Sequence, residues 1–445
     1  MLEKWELLIN SKQLKYNIMK KLLFLFSVSL LALTACNDVV TEMVTYKVNE
    51  PIFMATETFR NSVKVSKTPH TIGGIGKMCF YNNYLYISEP QKGIHIINNT
   101  DPANPQSVGF IELLGNADLA IRNGLLYADS YIDLVWFDVS DPSSPELKGR
   151  LDSIFPTALP LIPNQYGINY TSTYSGSKNG IIVGWELKEV TEPVSRYSGG
   201  WLKGGIIPGG AVYDLATTST NSAASTGING SMSRFTIYDD KLYSVINNYL
   251  NIFDLTGEIP KKAAENFYIG WNVETIFSNK TNLFFGTSTG MLIYSVVDPL
   301  KPIYQSCITH AYACDPVIVD NDLAYVTIHS GSTCDYSAKE NALIIIDVKD
   351  VKNPTQLVTY NLTNPKGLGI DAGKLFLCDD GLKVYKLTEP QTLMANQLAH
   401  YTGMDGFDVI PFNNTLMMIA DDGLYQYDYS DMSQIKLLSK IGIVK

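Results

Sequence analysis

Histidine occurs five times in 445 residues, cysteine six times, and Lys plus Arg number 34 against 44 Asp plus Glu. Each scarcity excludes something. A net charge of −10 with no lysine- or arginine-rich run leaves no basic face for phosphates, so no nucleic-acid partner is expected. The cysteine spacings fit no zinc pattern, and neither a metal nor another cofactor is expected. After residue 36 no apolar run is long enough to cross a bilayer, and no amphipathic stretch reaches helix length. What is plentiful is tyrosine, at 27 residues, a side chain suited to half-buried pleated surfaces.

The N-terminus carries an address. From Met19 the chain reads MKKLLFLFSVSLLALTACND: Lys20 and Lys21, then an apolar stretch from Leu22 to Leu33, then LTAC. The stretch is too short for a permanent membrane helix, and small residues before Cys36 suit cleavage of an export signal. LTAC resembles a bacterial lipobox, which implies lipidation of Cys36 and attachment to the cell envelope, with the outer membrane the expected site. A plain secretory signal with an unmodified cysteine is the alternative. Removing residues 1–36 takes away five Lys and two Glu, leaving 29 basic and 42 acidic side chains and a net charge of −13. Residues 37–70 read as a tether with N-terminal strands, and 71–445 as the folded body. Of the remaining cysteines, Cys79 and Cys378 sit in apolar strand patterns as core residues. Cys314 and Cys334 fall near loops and are the candidate disulfide in an export compartment.

A phrase recurs along the body. Residues 136–149 read WFDVSDPSSPELKG, and residues 96–109 read IINNTDPANPQSVG. Upstream of each copy lies an apolar pair after a polar turn of Asn, Asp or Gly: NNYLYI at Leu85, NGLLYA at Leu126, DDKLYSV at Leu242, KTNLFFG at Leu283, NDLAYV at Leu323, AGKLFLC at Leu375 and NNTLMMI at Leu416. Successive leucines stand 41, 116, 41, 40, 52 and 41 residues apart. The period is about 41 residues, with a small insertion near 330–341 and a large one at about 152–230. Each unit holds four short strands joined by tight turns. A four-stranded sheet cannot bury both faces alone, whereas a closed ring of such sheets can. The expected fold is therefore an all-β propeller of seven blades of four antiparallel strands. Eight blades is the alternative, because GIIVGWELKEVTEP at 180–193 reads as half a unit. In the Asp-Pro turn, Asp accepts a backbone N–H and proline presets the bend and guards the outer edge.

The apolar-run-then-Asp phrase, clearest in LIIIDV at Leu343–Val348 and LVWFDVSDP at Leu134–Pro142, resembles the bacterial LVIVD repeat family. That resemblance covers roughly residues 75–445 apart from the large insertion. It implies a propeller in an exported protein and carries no catalytic motif.

Alignment of the units places a charge where each innermost strand begins: Lys77, Asp118, Arg234, Glu274, Asp315, Lys366 and Asp408. In a ring these residues crowd one mouth of the central channel. They are the candidate ligand-binding set, together with His310 in THAYACDPV. Mutual pairing of opposite charges in a wet channel is the competing reading. The pairs Asp239-Asp240, Asp379-Asp380 and Asp421-Asp422 lack the alternating oxygens of a calcium loop and read as turns. The expected function is a non-catalytic binding or scaffold module, its ligand a carbohydrate or an envelope protein. The alternative is a propeller lyase or glycoside hydrolase using acidic residues at the mouth, although no catalytic residue stands out. A channel plugged by paired charges points to the scaffold. Close carboxylates with one buried point to the enzyme.

Overall fold

The computed structural model describes residues 19–20, 43–74, 76–175, 179–193, 226–246, 248–264, 266–270, 273–309, 316–329 and 341–444. Cys36, His310, Cys314, Asp315 and Cys334 lie outside the described residues. Seven four-stranded antiparallel sheets form a β-propeller in an all-β chain. Blades 1 to 7 span residues 78–112, 119–151, 235–268, 277–309, 317–361, 368–401 and 406–442, each pairing its strands in chain order. The outer strand of blade 3 is broken into Lys261–Lys262 and Phe267–Tyr268, whereas Lys64–Ser66 adds an extra strand outside blade 1.

The repeated phrases are the turns of this ring. Between the first and second strands, six blades place two residues at positive φ, among them Asn82-Asn83, Asn123-Gly124, Asp239-Asp240 and Asn413-Asn414. Paired left-handed residues match the twist of adjacent strands, and Asn, Asp and Gly tolerate that conformation best. The phrase that ends the third strand makes two successive side-chain turns. Asp138 Oδ1 accepts from Ser140 N at 2.9 Å, and Asp141 Oδ1 accepts from Ser143 N at 3.0 Å. Asp428 and Asp431 repeat the pattern in blade 7, and Asp347 and Asp350 in blade 5. The residue after the first Asp, Val139, donates its N–H to Gly124 O, as Val348 does to Asp322 O and Tyr429 to Asn414 O. Each unit thereby locks its outer turn to its own inner hairpin.

Apolar clusters join every neighbouring pair of blades. Cys79, Ile94, Ile96, Leu119 and Leu126 pack blade 1 on blade 2, and Phe137 lies in the same cluster. Other clusters link blades 2 and 3, blades 3 and 4, blades 4 through 6, and blades 6 and 7. A further cluster closes the circle between blades 7 and 1, setting Met78, Leu85 and Ile87 against Ile410, Met417 and Ile419. Cys79 and Cys378 are fully buried free thiols within these interfaces.

At the closing seam between blades 7 and 1, Asn99 Nδ2 donates to Gln426 Oε1 (2.8 Å) and Gln426 Nε2 donates to Asn99 Oδ1 (2.6 Å). Both residues are buried, at 4% and 0% exposure. Replacing one leaves the other unpaired in the interior. Gln426→Leu is expected to cost about 2 kcal/mol, read from the midpoint of denaturant unfolding. An unchanged midpoint would remove this pair from the closure.

The chain divides into two compact units, 1–47 with 189–203 and 48–188 with 204–445. In the smaller, Thr45 Oγ1 lies 2.8 Å from Thr191 Oγ1, and Tyr46 Oη donates to Glu192 Oε1 at 2.8 Å. Residues 180–193, read from sequence as half a blade, supply a single strand, Ile181–Pro193, which pairs with Met43–Met54. The described end of the large insertion forms no blade either. Ile228–Asn229 pairs with the innermost strand of blade 1.

Candidate functional site

The described members of the expected charge set stand in, or within three residues before, their innermost strands. Lys77, Asp118 and Arg234 directly precede Met78–Tyr81, Leu119–Arg122 and Phe235–Tyr238. Asp408 falls within Gly406–Phe412, beside a bulge that shifts the register between Gly406 and Asp408. These four side chains are buried, at 3%, 1%, 5% and 1% exposure. Ring closure brings them to one axis, and the chain itself fills the space between them.

Residues 226–234, the end of the insertion and the lead-in to blade 3, run along the inner strands of blades 1 and 2 and stop among the charges. Thr226 bridges Arg122 at the hairpin end. Gly227 N then donates to Ile121 O (2.7 Å), Ile228 and Asn229 pair with Phe80 and Cys79, and Gly230 N donates to Met78 O (3.0 Å). At the polar end, Ser231 Oγ lies 2.7 Å from Asp408 Oδ1 and accepts from Leu368 N at 2.6 Å. Lys77 Nζ donates to Met232 O. Ser233 Oγ donates to Asp118 Oδ1 at 2.7 Å, and Arg234 N donates to Asp118 Oδ2. Gly230 is required by contact: a Cβ there would overlap Asp408 Oδ2 and sit 2.8 Å from its Cγ.

Burial dominates the electrostatics. It pushes the Asp408 carboxyl up to about 7, outweighing the Ser231 hydrogen bond and the attraction of Lys77. It also raises Asp118, despite Lys77 and the N–H groups of Arg234 and Leu119. A third carboxylate lies next to these. Asp129 Oδ1 accepts from Ala117 N (2.7 Å), Asp118 N (3.0 Å) and Asn116 Nδ2 (3.1 Å), and burial lifts it to about 7.

The remaining expected residues are placed differently. Glu274 is buried three residues before Phe277–Asn279, its N–H on Gly286 O at 3.0 Å. Lys366 leans outward to Asp405, with Nζ 2.6 Å from Oδ2. Among the described residues no group of His, Cys, Asp and Glu could hold a metal ion. Of the Asp pairs, Asp239-Asp240 forms a hairpin turn, Asp379 binds Thr363 N, Asn364 N and Lys383, and Asp422 binds Tyr425 and Lys440. Ser231, Ser233, Gly230 and Asp129 escaped the repeat alignment. Gly230 ends the insertion, Ser231 and Ser233 lead into Phe235–Tyr238 of blade 3, and Asp129 has no carboxylate counterpart in the other units.

A ring of blades whose channel is occupied by the chain's own strand, with two buried acids bonded to its serines, defines a propeller with a self-plugged axis. Within it, residues 117–153 match the LVIVD repeat, so blade 2 carries that repeat in a seven-bladed ring. No curated protein sequence matches the chain. Among solved structures, a functionally unknown protein from Desulfotomaculum acetoxidans DSM 771 is similar at 11% identity and TM-score 0.50, covering 81% of this chain and 95% of that one. The periplasmic gluconolactonase of Pseudomonas aeruginosa aligns at 10% identity and TM-score 0.47, over 83% and 96%. BamB from Moraxella catarrhalis aligns at 9% and 0.46, over 86% and 97%. At these identities the likeness is one of fold.

Proposed function

We propose that this protein is a lipid-anchored propeller of the bacterial cell envelope that binds a partner as a scaffold and does not turn a substrate over. One observation carries the reading: the acids that would serve a lyase or glycosidase are already engaged. Asp118 and Asp408 are each 1% exposed and are bonded to Ser233 and Ser231 of the plugging strand. A glycosidase needs two carboxylates flanking an accessible scissile bond, and this end of the channel holds polypeptide instead. The envelope address rests on the signal from Met19 to Cys36. An envelope protein is the favoured partner.

Exposed rings favour carbohydrate as a second ligand class. Tyr268 and Tyr304, on the outer strands of blades 3 and 4, are 55% and 53% exposed. Tyr268 lies 5.7 Å from Tyr249, and Tyr304 lies 5.5 Å from Tyr294. Such faces stack on sugar rings.

Two measurements test the proposal. Radiolabelled palmitate is expected on the expressed full chain and to be lost in Cys36→Ala, which moves the protein from the membrane to the soluble fraction. Label surviving in Cys36→Ala would overturn the anchor. Oligosaccharides incubated with the full chain are expected to come back uncleaved. Cleavage that disappears in Asp118→Asn would overturn the scaffold reading in favour of the enzyme.

A further inference from the structure

The plugging strand and the slot that holds it come from different parts of the chain. Lys77, Asp118 and Asp408 stand at one structural position in blades 1, 2 and 7, whereas residues 226–230 end the insertion and 231–234 lead into the innermost strand of blade 3, with Arg234 at that same position there. The way they meet is the way a sheet recognises an added peptide strand: main-chain bonds along an edge, with side-chain pockets at alternate positions. The main-chain bonds are those of Gly227 N to Ile121 O and Gly230 N to Met78 O, with Ile228 and Asn229 in register with Phe80 and Cys79. The alternate pockets take the hydroxyls of Ser231 and Ser233, on Asp408 and Asp118 respectively, while Lys77 takes the carbonyl of Met232 between them.

Two gaps no larger than a water or two lie beside the strand. A cavity of about 10 Å³ remains beside Gly227 and Asn229, against Ala120 and Phe235. Another of about 30 Å³ remains beside Ile228, against Phe277, Ile318, Ile370 and Pro411. The blade interfaces are packed by continuous apolar clusters. The strand from 226 to 234 offers only Ile228 and Met232 as apolar side chains: Ile228 packs against the cluster that closes blade 7 on blade 1, and Met232 against Phe407. Much of its attachment is therefore polar, through Ser231, Ser233 and the Met232 carbonyl.

We propose that the propeller channel is a strand-binding slot, occupied in cis by residues 226–234, that accepts in trans an extended peptide with hydroxyl side chains two residues apart. The site goes beyond the scaffold reading and does not depend on the anchor, because it assigns a binding surface inside the ring. In the resting chain the internal strand competes with any such peptide, so the apparent affinity falls by the fraction of time the slot is closed.

The first test is amide hydrogen exchange on the unmodified full chain, resolved by peptide. Residues 226–234 are expected to exchange at least 10-fold faster than Met78–Tyr81 and Leu119–Arg122 beside them, through local opening. Exchange at the rate of those strands, only on global unfolding, would overturn the proposal. The second test uses the Ser231→Ala/Ser233→Ala chain and a fluorescent peptide of sequence TGINGSMSR. Peptide binding to the variant is expected to be at least 10-fold tighter than to the unmodified chain. A peptide with both serines replaced by alanine is expected to bind the variant at least 10-fold more weakly. A folded variant that takes neither peptide, or both equally, contradicts the assignment. Should the variant fail to fold, the exchange measurement on the unmodified chain decides.

Discussion

At pH 8 the Asp408→Asn variant is expected to unfold at a higher temperature than the unmodified chain, and at pH 5 the two should nearly coincide. In the folded protein Asp408 and Asp129 are each lifted by burial to about 7, and an unfolded aspartate titrates near 4. A raised folded value means that the folded state holds the proton more tightly. The associated stability is complete below about pH 4 and is lost as pH rises through 7. Between pH 5 and 8 the loss is about 3 kcal/mol for each carboxylate. Asparagine keeps the acceptor oxygen for Ser231 and for Val409 N, at 2.7 and 2.9 Å, without acquiring a charge. Asp408→Asn should therefore flatten about half of the decline, and Asp129→Asn much of the rest. Unfolding midpoints measured across this range check the point, and a slope untouched by either substitution would exclude these groups. A separate loss is expected below pH 4. There the turn carboxylates Asp101, Asp141 and Asp431, held below their ordinary values by hydrogen bonds from Asn104, Ser143 and Ser433, take up protons.

The second large effect concerns Gly230. Valine at this position would drive its Cβ into Asp408, whose Oδ2 already occupies that space, and would disturb the Ser231 bond to the same carboxyl. Overpacking and the disturbed bond together are expected to cost about 4 kcal/mol in unfolding free energy. Asp408→Ala removes the obstructing atoms. In the double variant the costs should fall short of their sum by at least 1 kcal/mol, the mark of groups in direct contact. Strict additivity would show that the strand does not pass against Asp408.

Much of this architecture was readable from residue patterns. The Asn-Asn, Asn-Gly and Asp-Asp turns before Leu85, Leu126 and Leu242 had to be tight hairpins, because few residues accept paired left-handed backbone. The recurring Asp-Pro phrase is a local hydrogen-bond motif, so it survives translation from one blade to the next. Asp431 is a copy that spelling hides, because Met432 replaces the proline, yet Ser433 N still finds its carboxyl at 2.9 Å. The convergence of Lys77, Asp118 and Asp408 followed from ring closure alone. What fills the space between them did not. Gly230, Ser231 and Ser233 obey no repeat, and their partners lie 177 and 115 residues away, at Asp408 and Asp118. Nothing in the spacing of a Gly-, Ser- and Thr-rich insertion distinguishes a surface loop from a strand threaded along an axis. Likewise 180–193 copied the look of a blade strand while pairing with the N-terminal segment instead.

Residues 226–234 lie inside the ring, and one native thiol can report their place there. Cys79, on the innermost strand of blade 1, is buried and free, and a Cβ placed on Gly227 would overlap its Sγ. That proximity is within the reach of a disulfide. In Gly227→Cys, oxidation followed by proteolysis without reduction and mass spectrometry should yield a cross-linked peptide joining positions 79 and 227. A cysteine at 227 that stays open to maleimide, with Cys79 unlinked, would place the strand outside the channel.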